Sequence, residues 1–149
     1  MDSAQSEPAG IDWLKAISPN ARRVRKSGIL EIFNAGRELD GLIPLWVGEG
    51  SQPTPGFIQD AAIASLKDGN TFYTYQRGLP PLRQALSDYL SGLYAKPVLA
   101  ENVFVTASGM QAIMLSCQLL LGAGDEMIVV SPVWPNIFEA VNAVGANPV

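Results

Sequence analysis

Histidine is absent from the 149 residues, and cysteine occurs once, at Cys117. Without histidine there is no Ser-His-Asp or Cys-His nucleophile and no His-ligated zinc, and no metal site is expected. A lone cysteine forms no internal disulfide. Cys117 stands inside an apolar helical run, where a packing role is expected of it. Long apolar runs are missing as well, since none reaches the roughly 18 residues of a membrane span. The opening "MDSAQSEPAGIDWL" is acidic and polar, unlike a secretory or transit leader, which makes the cytoplasm the expected address. Basic clusters are nearly absent too. The one knot, Arg22-Arg23-Val24-Arg25-Lys26, is short and is expected to be a solvated face or loop; with a net charge of −4 it gives no footprint for nucleic acid. If this chain does chemistry, something other than histidine moves the protons, and a bound cofactor becomes attractive.

What is present has the composition of a soluble globular domain, with 48% apolar residues and its 11 prolines and 14 glycines dispersed. Residues 1–26 read as an N-terminal arm. Residues 27–100 hold helices and loops: a helix from near Ser27, the Gly- and Pro-rich "LWVGEGSQPTP", and a helix from Pro55 that stops at Gly69. A further helix places Leu82, Leu86, Tyr89, Leu90 and Leu93 on one stripe, with Pro81 in its first turn. From 101 the rhythm changes. A strand is expected at 103–106, a helix at about 109–121, a "GAGDE" turn and a strand at 127–130. After a turn at Ser131-Pro132 comes a helix at about 135–144, ended by Gly145, and "NPV" starts a third strand. Apolar strands alternating with helices predict an α/β fold with a parallel sheet. So few strands cannot cover their own faces, so 101–149 is expected to be the beginning of a large domain in a longer protein.

The turn Thr106-Ala107-Ser108-Gly109, between strand and helix, is a candidate anion site. A nucleoside triphosphate loop would need G-x-x-x-x-G-K-[ST], which does not occur, and a dinucleotide fingerprint would need three glycines where "ASGMQAI" has one. What is left is a short Ser-Gly turn able to hold one phosphate at a helix N-terminus. Taken alone, Ser108 is as well explained as a plain N-cap. Trp134, in "VVSPVWPN", follows the next strand and is expected at the same sheet end, where ligands bind in parallel sheets. A phosphorylated flat ring would suit that pair, although Trp134 also reads as a partly buried packing residue.

Four ordered motifs resemble the class I/II aminotransferases, the fold-type-I family dependent on pyridoxal 5′-phosphate. "LWVGEGSQPTP" resembles the family's "GEP…TP" loop, "YTYQRGLPPLRQAL" its "Y…G…LR" segment, and "VTASGMQAI" its phosphate turn. "LLGAGDEMIVVSPVWPN" resembles its "PGDEV…PxW" strand and aromatic. The resemblance implies that Ser108, Gly109 and Met110 hold the cofactor phosphate and that Trp134 stacks on its ring. It implies that Tyr73 reaches the phosphate of a neighbouring subunit, with Tyr75 as the alternative, and that Gly48 touches the substrate carboxylate. Arg83, in the "LR" signature, is expected to be structural. The implied activity is transfer of an amino group from an amino acid to a 2-oxo acid in a homodimer. A lyase of the same fold, forming aminocyclopropane-carboxylate or cleaving C–S bonds, is the alternative. A non-catalytic product, or an unrelated α/β domain binding another phosphate, would be a reading of a different class. Two positions depart from the family pattern: "GEG" replaces the commoner "GEP", and Met110 replaces a smaller or polar residue.

The same resemblance implies three groups that these residues do not supply: a lysine that carries the cofactor covalently, an acid facing the pyridine nitrogen, and an arginine that forks onto the substrate carboxylate. The four lysines are Lys15, Lys26, Lys67 and Lys96, and none is expected at a strand end beside the turn. No residue of this chain is therefore expected to be catalytic, and the chain is expected to be an inactive portion. Incubated with pyridoxal 5′-phosphate and borohydride, it should show no site-specific reduced adduct by mass spectrometry; one stoichiometrically modified lysine would contradict this.

Overall fold

The computed structural model describes residues 13–149; residues 1–12, which open the expected N-terminal arm, lie outside them. The chain divides into two compact units. One contains the described residues up to Glu31 together with Met110–Val149, and the other contains Ile32–Gly109.

The first unit holds the sheet. Its elements are α1 (Trp13–Ala16), a 3-10 turn at Ala21–Arg23, β1 (Glu126–Met127), a helix at Asn136–Ala143 and β2 (Asn147–Pro148). The helix Gly28–Gly36 (α2) begins in this unit, and the helix Gly109–Leu120 has all but its first residue here. β1 and β2 pair in parallel, with Glu126 opposite Asn147 and Met127 opposite Pro148. Amide-to-carbonyl bonds extend the ladder: Val149 N–H donates to Met127 O at 2.9 Å and Val129 N–H to Val149 O at 2.8 Å. This parallel pair, with a helix between its strands in sequence, is the expected α/β pattern.

The core follows from helical periodicity. Met110, Ile113, Met114, Cys117 and Leu121 recur at three- and four-residue steps and form one stripe, packed on Ala140, Val141 and Ala146. Val141 is fully buried and Cys117 nearly so, which gives the cysteine its expected packing role. The opposite flank of that helix stays bare: Leu115, Leu119 and Leu120 are exposed.

The basic knot does more than face solvent. Arg22 donates to the carbonyls of Ile17 and Lys15, at 3.1 and 2.8 Å. Arg23 reaches Gly145 O and Ala146 O, both at 2.7 Å, and Asn147 Oδ1 at 2.8 Å. These three acceptors sit where the chain leaves the helix and enters β2. Gly145 makes that exit with φ of +87°, a left-handed conformation that glycine adopts without steric cost.

The second unit carries a helix at Gly56–Lys67 (α3), a helix at Pro80–Tyr94 (α4) and a 3-10 turn at Ala100–Asn102. The helices 109–120 and 136–143 are α5 and α6. Proline occupies the first turn of α4 as expected. The α4 stripe is only partly covered: Leu86 and Leu90 are half-buried, whereas Leu82, Tyr89 and Leu93 are exposed. A polar contact anchors the same helix, because the buried Ser87 hydroxyl donates to Val98 O at 2.5 Å. Glycine at position 36 lets Trp46 lie against α2, since a Cβ there would fall 2.8 Å from the indole Cη2. The indole also meets Phe33 edge-on at 5.7 Å.

One expected element differs. Residues 103–106 do not join a sheet; Val103 is extended, but no neighbouring strand pairs with it among the described residues. A strand needs a ladder, and here the Arg83 side chain takes the Val103 carbonyl that a ladder would use. No helix among the described residues is long and apolar enough to cross a membrane.

Replacing Arg23 by alanine strips three acceptors of a charged donor. Because the side chain is largely solvent-exposed, the loss is discounted to about 2 kcal/mol. A lowered urea midpoint, with faster amide exchange at Ala146 and Val149, is the expected result.

Candidate functional site

The segment that leads to the Ser-Gly turn is fixed from α4. Arg83 Nε donates to Val103 O at 3.0 Å, and its Nη2 donates to Ala100 O. The guanidinium is therefore spent on backbone, which gives Arg83 the structural role expected of it. Within the turn, Thr106 Oγ1 donates to Ser108 O at 2.8 Å. α5 then starts at Gly109. The first amides of a helix have no partner four residues back, and the summed peptide dipoles put partial positive charge at that end. A Cβ at Gly109 would meet nothing within 4 Å beyond its chain neighbours and its own helix, so that side of the α5 start is open.

Tyr73 stands fully exposed on the loop between α3 and α4. Tyr75 is also exposed, but it lines a cavity of about 300 Å³ with Gly78, Val105, Thr106 and Ala107. The structure thus brings Tyr75, rather than Tyr73, next to the segment that precedes Ser108 in the same chain. Gly78 closes the loop with φ of +100°, and a Cβ on it would lie 2.6 Å from Val105 Cβ. Gly48 is exposed in the loop after Trp46, with nothing within 4 Å of the Cβ position.

Ser108, Gly109, Tyr73 and Gly48 belong to the 32–109 unit, and Met110 and Trp134 to the sheet unit. In the sheet unit Met110 is half-buried against the core, so its side chain serves packing. Met110 also lines a cavity of about 320 Å³ with Asn136, the first residue of α6. Met114 and Ala143 line it too, so this cavity runs along α5 and the length of α6. Trp134 precedes α6 by two residues and is 45% exposed; its carbonyl accepts from Ile137 N–H at 3.2 Å. All four lysines are exposed, with Lys67 in the last turn of α3 and Lys96 just after α4.

Sequence reasoning passed over Arg77, at the centre of the "YQRGL" segment. Its Nη1 donates to Glu101 O at 2.9 Å, its own carbonyl accepts from Val105 N–H at 2.9 Å, and its guanidinium lies 5.2 Å from the Phe104 ring centroid. No spacing rule announces such contacts; an arginine just before a loop glycine is only a weak signal.

Residues 40–149 match the family model described as aminotransferase class I and II. The aspartate aminotransferase of Pyrococcus horikoshii is 33% identical over 126 residues, which are 85% of this chain and 32% of that protein. The aspartate/prephenate aminotransferase of Thermus thermophilus is 33% identical over 132 residues, 89% of this chain and 34% of the relative. Among solved structures, the aspartate aminotransferase from Thermus thermophilus with maleate superposes with a TM-score of 0.82 at 31% identity. That match covers 89% of this chain and 36% of the other. The chain spans about a third of the length of these relatives.

Gly78→Ala forces a left-handed φ on alanine and drives its Cβ into Val105. A loss of about 2 kcal/mol or more is expected. Thermal unfolding followed by circular dichroism reads it, and an unchanged midpoint would show that the loop relaxes freely.

Proposed function

Because the chain belongs to the class I and II aminotransferases, a family dependent on pyridoxal 5′-phosphate, we propose that it supplies the phosphate seat of that cofactor. The enzyme it serves moves an amino group from an amino acid to a 2-oxo acid. The observation that carries this reading is the start of α5. Gly109 leaves open room beside it, while Met110 turns its side chain into the core and keeps only its amide for a ligand. That local arrangement suits a phosphate.

Each residue then has a task. The Ser108 hydroxyl and the amides of Gly109 and Met110 donate to the phosphate oxygens, and the α5 dipole favours their charge. Trp134, with its exposed indole, would stack on the ring. Tyr73, free of the cavity that holds Tyr75, extends its hydroxyl to the phosphate in a second subunit of a cytoplasmic homodimer. Gly48 offers backbone to the substrate carboxylate. When bound, the cofactor supplies an electron sink for charge that develops at the substrate α-carbon. The proton-moving lysine, the acid and the carboxylate-forking arginine fall on none of the matched positions, so the chain by itself is inactive. Relatives named for aspartate make a dicarboxylic amino acid the first substrate to try. The domain division expected from sequence, with 27–100 serving substrate and cofactor loops and 101–149 opening the large domain, belongs to this same reading.

The test uses the intact polypeptide that contains this chain. Its apo form should develop a visible absorbance band with pyridoxal 5′-phosphate. Ser108→Ala and Tyr73→Phe should each weaken binding about tenfold, as loss of one charge-assisted hydrogen bond implies. No band at all would sink the cofactor assignment. Release of ammonia, rather than appearance of a second amino acid from an added 2-oxo acid, would favour the lyase.

A further inference from the structure

Within the 32–109 unit, one residue joins two features of the cofactor reading, the Ser108 turn for the subunit's own phosphate and Tyr73 for its neighbour's. Arg77 lies four residues after Tyr73 and directly before Gly78. Its carbonyl accepts from Val105 N–H at 2.9 Å and its Nη1 donates to Glu101 O at 2.9 Å. Its guanidinium lies over the Phe104 ring at 5.2 Å, a cation–π distance. All three contacts fall on 101–105, the segment that runs into Thr106, Ala107 and Ser108. The next residue adds contact without a side chain: Gly78 stands so close to Val105 that even a methyl group would collide. The tyrosine loop and the approach to the phosphate turn are thereby held together, with Tyr75 and Ala107 lining the space of about 300 Å³ between them.

We infer that Arg77 is a positioning residue: it holds the Tyr73 loop and the Ser108 turn in one register, so that both meet a phosphate without prior ordering. The inference rests on the cofactor reading given above. Arg77 touches no phosphate itself. Its effect appears only in the part of the binding affinity that the phosphate supplies, because fixing a loop in its bound form removes an ordering cost that the ring alone does not incur. By the same linkage, a subunit that holds a phosphate at its own Ser108 turn presents an ordered Tyr73 to its neighbour.

The experiment compares two probes on the intact apo dimer, pyridoxal 5′-phosphate and phosphate-free pyridoxal, by equilibrium dialysis. Arg77→Ala should weaken the phosphorylated probe about tenfold and leave pyridoxal within about twofold. Arg77→Lys, which keeps a cation over Phe104 but loses the planar fork, should recover part of the loss. Phe104→Leu should shift the phosphorylated probe about threefold in the same direction, and it carries the test if Arg77→Ala does not fold. Equal weakening of both probes would make Arg77 a general structural residue and overturn the inference, as would no change in either. If the unsubstituted protein binds both probes equally, the phosphate seat itself is wrong and the positioning role falls with it. A wild-type preference that Arg77→Ala leaves intact removes the positioning role alone.

Discussion

Guanidinium groups bonded to backbone carbonyls are the contacts on which most of this structure depends. An extended segment without a sheet still has to satisfy its carbonyls, because an unpaired one costs about as much as a lost hydrogen bond. Arg83 does this for Val103; Arg83 and Arg77 also bind the carbonyls of Ala100 and Glu101 in the 3-10 turn, and Arg23 binds those of Gly145 and Ala146 where α6 gives way to β2. Arginine suits the task because its donors form a rigid planar fork that can serve two acceptors at once. In both units the arginine comes from a distant part of the chain, and each fork therefore sets tertiary structure.

The same contacts explain how a chain with little buried apolar surface keeps the Ser108 turn in place. The core of the sheet unit is small, built on Cys117, Ala140, Val141 and Ala146. β1 and the residues after it alternate in cover: Met127 and Val129 are half-buried, while Ile128 and Val130 face outward at about 80% exposure. A strand apolar on both faces belongs in a sheet covered on both sides, so the bare face marks where another layer fits. The turn at Ser108 does not depend on that layer. It is fixed within its own 32–109 unit, through Arg83 and through the Thr106 hydroxyl.

Much of this was legible in the residues. The apolar run at about 109–121 announced α5, with Cys117 in a packing role, and Gly69 and Gly145 marked helix ends. The Pro at the start of α4 and the parallel pairing of 126–127 with 147–148 also followed from pattern. The local setting of the candidate site was half readable. Order and spacing singled out Ser108, Gly109 and Trp134, but not which tyrosine the loop turns toward Ala107. The strand expected at 103–106 failed for a physical reason: β-branched residues specify extension, whereas pairing requires a neighbour that is far away in sequence. The contacts of Arg23, Arg77 and Arg83 escaped for the same reason, since their hydrogen bonds join residues 17 to 124 positions apart.

Trp46 and Trp134 carry a consequence of a spectroscopic kind. Trp46 belongs to the 32–109 unit, half-buried against Gly36 and edge-on to Phe33, whereas Trp134 belongs to the sheet unit with nearly half its surface in water. Their indoles sit in media of different polarity, so their emission maxima separate, the former to the blue and the latter to the red. Trp13, in the sheet unit, emits as well, so with Trp13 replaced by phenylalanine the wavelength of intrinsic fluorescence identifies the unit. A blue component that outlasts the red during denaturation would mean that the two units melt independently.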